Sequence, residues 1–248
     1  MVITLCQLDI VWGNPEANRR KAETFLAAAP HGDIFLLPET FTTGFGNHMA
    51  SFAEPAEGPT LQWARGMASR FGTMIVGTWV VAENGCCYNR LHWVYPSGEY
   101  GFYDKAHTFR VSGEADQIAR GKHKAVFEWQ GWRIKPAVCY DLRFPKWLRN
   151  DAMSYDLLLV CANWPGSRHE AWTTLLKARA IENLAFAVGC NRTGTDQEGI
   201  GYTGNSLFVD YKGLPMAELE GEQTRTLELD KGKLQTFRSH WPFYLDFD

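Results

Sequence analysis

The sequence predicts an α/β sandwich, with sheets inside and helices outside. Three observations carry the prediction. Runs such as Asp33-Ile-Phe-Leu-Leu-Pro38-Glu39 and Tyr155–Ala162 are short and almost wholly apolar, the pattern of strands buried on both faces. Helical stretches headed by Asn14-Pro15, Pro59 and Arg168 lie between such runs. Hairpin signals, Glu83-Asn84-Gly85 and Gln130-Gly131, interrupt the alternation. Strand–helix units mixed with hairpins argue for sheet layers covered by helices.

The elements follow in order. Val2–Ile10 is β-branched and apolar, a strand pattern. Asn14 caps a helix that starts at Pro15 and runs to about Ala29. The Asp33–Glu39 strand comes next, then a Gly/Thr-rich loop to Gly46 and a helix over Pro59–Phe71. Thr73–Ala82 and Cys87–Tyr95 form a hairpin, and Glu99–Asp104 a short strand. A polar segment runs from Lys105 to Lys122. Val126–Trp129 and Trp132–Val138 form a second hairpin. Pro145 suits the first turn of a helix. Tyr155–Ala162 and Leu184–Asn191 are strands around the Arg168–Glu182 helix. Arg192–Gly204 reads as a loop. Asn205–Asp210, Pro215–Glu220 and Thr224–Asp230 read as strands, and the aromatic tail from Phe237 is expected to dock.

The 248 residues are 45% hydrophobic and 21% charged, ordinary for a globular protein with a large core. No repeat, low-complexity stretch or linker divides them, so one domain over residues 1–248 is expected. A net charge of −3 gives no sign of a nucleic acid or an anionic membrane as partner. No apolar run reaches the length of a membrane span. Met1-Val-Ile-Thr-Leu-Cys-Gln7 lacks the basic region of a signal peptide. The six cysteines lie mostly in apolar runs and read as reduced thiols, so a cytoplasmic location is expected.

None of the seven histidines pairs with another His or Cys at ligand spacing, so no metal is expected. Gly199-Ile-Gly201-Tyr-Thr-Gly204 matches a nucleotide-binding fingerprint, but that fingerprint needs a strand before it and a helix after it. Cys139 is different. It stands where the Trp132–Val138 strand gives way to a helix start, the strand end where reactive groups of α/β proteins gather. Helical N–H groups turned towards a thiol favour thiolate. Glu39 and Lys105 also end strands. If those strands run side by side, a thiol, a carboxylate base and an ammonium converge.

Leu37-Pro38-Glu39, Asp104-Lys105-Ala-His107 and Val138-Cys139-Tyr140-Asp141-Leu-Arg143-Phe-Pro145 resemble the three signature blocks of the nitrilase (carbon–nitrogen hydrolase) superfamily, in the family's order. Ala162-Asn163-Trp164-Pro165, Lys177–Asn183 and Asn191–Gly194 extend the resemblance over nearly the whole chain. Within it, Cys-Tyr-Asp-Leu-Arg-Phe-Pro and Asn-Trp-Pro look like the omega-amidase branch. One departure is Lys135-Pro136 in the nucleophile strand.

The resemblance implies a four-layer α-β-β-α sandwich, a homodimer and no cofactor. The Arg168–Glu182 helix and a tail with Trp241, Phe243 and Tyr244 are interface candidates. It implies catalysis by Glu39, Lys105 and Cys139 on a small-molecule amide that also carries a carboxylate, 2-oxoglutaramate or 2-oxosuccinamate. Glu114 matches a further glutamate between the Lys and Cys blocks. Tyr140 would supply a backbone N–H for the oxyanion, Arg143 a guanidinium for the carboxylate, and Trp164 an apolar wall. Arg143 reads equally well as a structural partner of Asp141 or of a helix terminus; Arg110, Arg168 and Arg192 are the next cations in line. The rival substrates are deaminated glutathione, N-carbamoyl amino acids and nitriles. The rival class is a non-catalytic regulatory protein of this fold.

Overall fold

The computed structural model describes residues 1–246. Two seven-stranded sheets form its centre, each a path of six strands with one more beside it, Glu54–Pro55 on Met74–Glu83 and Pro215–Glu220 on Gly201–Val209. In the first, the path is Gln223–Glu228, Val2–Gln7, Ile34–Leu36, Met74–Glu83, Cys86–Val94, Tyr100–Asp104. In the second it is Thr193–Thr195, Gly201–Val209, Phe186–Asn191, Leu157–Ala162, Trp132–Val138, Phe127–Trp129. Each sheet has three parallel strands at its middle. Parallel strands send their carboxyl ends to one edge.

Side-chain parity explains the layering. Successive residues of a strand point to opposite faces. Ile34 and Leu36 join a core shared with Ile134, Val138, Leu157 and Leu159 of the other sheet. Phe35 between them instead meets Ala22, Leu26, Leu61 and Ala64 of the helices Pro15–Ala28 and Pro59–Phe71. Likewise Leu158 and Val160 turn outward to Trp172, Leu176 and Ala180 of the helix His169–Asn183. Both faces of the central strands are therefore covered, which is why they read as unbroken apolar runs. The result is the four-layer α-β-β-α sandwich. The expected cap is present: Asn14 accepts a hydrogen bond from the Ala17 N–H at 3.1 Å. No helix among the described residues is long and apolar enough to cross a membrane.

Three expectations need correction. The Arg192–Gly204 loop is a hairpin, with Thr193–Thr195 paired to Gly201–Thr203. Asp196 builds its turn by accepting from the N–H groups of Glu198 and Ile200. The last residues hold a helix, Lys231–His240, capped by Asp230. In the tail Phe237 docks on Tyr211 at 4.8 Å, whereas Trp241 and Phe243 remain about half exposed. Pro136 is harmless because the edge strand Phe127–Trp129 reaches only Ile134, so no strand on that side needs its missing N–H.

One buried carboxylate fastens the late helix. Asp156 receives Arg238 Nη1 at 2.7 Å, Lys231 Nζ at 2.9 Å and Arg133 Nη2 at 3.1 Å. Burial pushes its carboxyl upward, but these donors outweigh that and hold it at about 2. A lowered folded value stabilises above the ordinary carboxylate range and is lost as pH falls through the folded value. Asp156→Ala should remove roughly 2 kcal/mol of pH-linked stability and flatten the acid limb of the melting curve. It also strands three cations, so denaturant unfolding at neutral pH should show a total loss of about 3 kcal/mol.

Candidate active site

The carboxyl ends of strands from both sheets meet at one edge. Glu39 lies three residues beyond the Ile34–Leu36 strand, and Lys105 directly follows Tyr100–Asp104. Cys139 directly follows Trp132–Val138, and Asn163 directly follows Leu157–Ala162. Lys105, Glu39 and Glu114 are all buried. Lys105 Nζ donates to Glu39 Oε1 at 2.8 Å and to Glu114 Oε1 and Oε2 at 2.9 and 2.8 Å. Burial alone would strip this ammonium of its proton. The charges of Glu114 and Glu39 outweigh burial and hold its pKa above the ordinary lysine value.

Each carboxylate has further donors. Asn89 Nδ2 reaches Glu39 Oε1 at 2.8 Å and Glu114 Oε1 at 3.3 Å. The Asn163 N–H donates to Glu39 Oε2 at 2.9 Å, and the Phe109 N–H to Glu114 Oε2 at 2.6 Å. Burial raises the Glu114 carboxyl, against the pull of Lys105. Gly121 is needed behind this cluster. Its N–H donates to the Lys105 carbonyl at 2.8 Å, and a Cβ there would meet the Asp104 oxygen at 2.0 Å.

Cys139 sits in the left-handed region at φ +43°, and Thr40, next to Glu39, at φ +41°. Non-glycine residues held there cost about 1–3 kcal/mol each. Thr40 is secured by its N–H to Thr78 Oγ1 at 2.6 Å and by Asn163 Nδ2 on its hydroxyl at 3.1 Å. The Cys139 thiol points to the Asn163 carbonyl at 3.8 Å. The sequence suggested a thiolate favoured by helical N–H groups. The structure has instead a short turn, Cys139–Arg143, ahead of the Pro145–Leu148 helix. Burial, then the adjacent Glu39 charge, push the thiol well above its ordinary value, and Lys105 opposes them only in part.

These groups open into a cavity of about 600 Å³. Lys105 and Cys139 reach its surface, beside Tyr140, Asn163 and Trp164. The Arg143 guanidinium lies 4.9 Å from the Trp164 ring, and that of Arg168 lies 5.5 Å from Phe109. Both arginines are exposed and line the cavity. Arg110 is not among its lining residues. Arg192 is buried elsewhere, bonding Asp9 and the carbonyls of Ile10, Thr193 and Thr195. Asp141 is bonded to His107 and Tyr103, so the Arg143–Asp141 ion pair does not form. Among the described residues, no three His, Cys, Asp or Glu gather as metal ligands would.

Sequence reasoning brought Glu39, Lys105, Glu114, Cys139, Tyr140, Arg143 and Trp164 to notice, and the fold collects all seven here. It overlooked Asn89, which joins the two carboxylates. The available signal was an Asn inside a strand, where that residue is depleted.

The profile of the carbon-nitrogen hydrolase family matches residues 2–239. The chain belongs to the carbon-nitrogen hydrolase family. This carbon-nitrogen hydrolase is 43% identical to the omega-amidase YafV of Yersinia enterocolitica over 248 residues, 99% of this chain and 96% of the relative. It is 35% identical to the 2-oxoglutaramate amidase of Bacillus subtilis strain 168 over 223 residues, 87% of this chain and 85% of that one. Its fold matches the crystal structure of XC1258 from Xanthomonas campestris, a CN-hydrolase superfamily protein with an arsenic adduct in its active site. The TM-score is 0.98 at 41% identity, covering 100% of this chain and 97% of that one. The chain is an amide-hydrolysing enzyme.

The raised Cys139 value gives a direct expectation. Iodoacetamide labelling of the Cys139 peptide, followed by mass spectrometry, should have its pH midpoint above that of an ordinary thiol. Removing the Glu39 charge removes one cause, so Glu39→Gln should move the midpoint to lower pH.

Proposed function

We propose that this enzyme is an omega-amidase that hydrolyses the terminal amide of 2-oxoglutaramate or 2-oxosuccinamate through a cysteinyl thioester. The observation that carries the mechanism is the buried Lys105 ammonium, bonded to Glu39 and Glu114 where the cavity meets Cys139. Because the thiol holds its proton at rest, it needs a base. Glu39 takes that proton as sulfur attacks the amide carbon. The oxyanion is received by Lys105 and by the backbone N–H of Tyr140. Glu39 returns the proton to nitrogen and ammonia leaves. Water, activated by the same carboxylate, then cleaves the thioester. Glu114 is the group that keeps Lys105 charged and aimed while Glu39 changes its protonation.

Two further observations support the substrate. Arg143 and Arg168 present guanidinium groups to the cavity, and neither makes an ion pair among the described residues. A guanidinium binds carboxylate with two parallel bonds. The Bacillus subtilis relative is named for the first of these acids, 2-oxoglutaramate. Replacing Cys139 by Ala should cut ammonia release from 2-oxoglutaramate by more than about a thousandfold. Arg143→Ala or Arg168→Ala should raise KM about tenfold, the scale of one charge-assisted bond. Ammonia release unchanged in Cys139→Ala would defeat the mechanism. No release by wild type, with Cys139 still alkylated, would defeat the substrate.

A cytoplasmic homodimer is also part of the proposal. Ile181 on the His169–Asn183 helix is 53% exposed, and Trp241, Phe243 and Leu245 are 48%, 49% and 71% exposed. Apolar groups this open favour self-association. Sedimentation at micromolar concentration should give twice the chain mass, and a monomer would overturn this.

A further inference from the structure

Asp141 is fully buried and has no part in the chemistry above. Its carboxylate accepts four hydrogen bonds. One comes from the Val138 N–H at 3.1 Å, immediately before Cys139. The other three come from residues flanking Lys105: Tyr103 Oη at 2.8 Å, the His107 N–H at 3.0 Å and His107 Nδ1–H at 2.7 Å. The two donors' partners tighten the arrangement. Trp147 Nε1 and the Ala106 N–H donate to Tyr103 Oη at 2.9 and 3.3 Å, and Phe144 stacks on the His107 ring at 3.7 Å. The segment 103–107 leaves the first sheet and the segment 138–147 leaves the second. One carboxylate therefore clamps the lysine segment to the cysteine segment.

We propose that Asp141, with His107 and Tyr103, is a positioning residue that sets the separation of Lys105 Nζ and Cys139 Sγ. The proposal rests on the reading of Lys105 and Cys139 as the oxyanion donor and the nucleophile. Cys139 is held at a positive φ, so its backbone relaxes to an ordinary conformation when its neighbours let go. The bond from Val138 resists that on one side of the thiol. The bonds from Tyr103 and His107 hold Lys105 from both sides along its chain. His107 donates from Nδ1 whether neutral or charged, so the clamp works in either state. Its contribution is distance and angle.

The test is Asp141→Asn, which keeps the shape but replaces one acceptor oxygen by an NH₂ facing donors. The expected result is a fall in kcat of about a hundredfold, the cost of a misplaced reacting pair, with little change in KM. The shape and midpoint of the pH–rate profile should stay those of wild type. Tyr103→Phe and His107→Leu each remove one bond to Asp141, Tyr103→Phe taking with it the acceptor of Trp147 Nε1 and the Ala106 N–H, and should each lower kcat about fivefold, with thermal melts to show that they are folded. They carry the test if Asp141→Asn does not fold. Wild-type kcat in the folded variants overturns the proposal. So does a change in KM alone, which would mean a substrate contact, or a moved pH profile, which would mean tuning of charge. Cys139→Ala is assayed alongside. Full activity there would sink the underlying assignment of Cys139, an outcome distinct from loss of the clamp.

Discussion

The buried ammonium of Lys105 between Glu39 and Glu114 is the constraint on which the rest of the structure depends. Neither the two carboxylates nor the ammonium is comfortable without the other. Two carboxylates at this depth repel, and an ammonium without them loses its proton. Together they settle, with Asn89, Asn163 and Phe109 supplying the remaining donors. The dry surroundings raise the penalty for any missing member. An apolar cluster of equal volume would give a more stable protein. On the proposed mechanism the charges meet the needs of a reaction that draws a proton from a thiol and receives an oxyanion a moment later.

The backbone strain at Thr40 and Cys139 follows from that constraint. A strand aims its side chains to its two faces, and neither direction points along the strand towards the cluster. Thr40 and Cys139 turn the chain sharply at the strand ends, so that Glu39 and the thiol face the same space. The backbone cost is met by dense bonding around each turn: Thr78 and Asn163 about Thr40, and Asp141 before Cys139.

The layers were legible in the sequence because burial on both faces writes itself as unbroken apolar runs, and Leu36, Val138 and Ala162 lie at their ends. Glu39 and Cys139 just beyond such runs, and Lys105 at the end of the short Tyr100–Asp104 strand, could be read as convergent because all three end strands. Glu114 was visible only through the family resemblance, since nothing in Ser-Gly-Glu distinguishes a buried carboxylate from a solvated one. Asp141 was noticed as a partner for Arg143, but its actual partners, His107 and Tyr103, are more than thirty positions away. Arg192 looked like a free cation because its carbonyl partners carry no sequence signal. The Lys231–His240 helix was missed because few of its residues face inward, chiefly Leu234 and Arg238, and the latter docks by charge on Asp156.

The site is divided between the two sheets. Glu39 and Lys105 leave one, Cys139 and Asn163 the other, and they meet only after the sheets have closed face to face. Neither half carries a working arrangement. A chain still emerging from synthesis, or one partly opened, has the Cys139 thiol apart from the Glu39 carboxylate and the Lys105 ammonium. On the proposed mechanism hydrolytic competence is thereby tied to completed folding, and loss of activity on heating should report the parting of the sheets before the loss of either sheet's own strands.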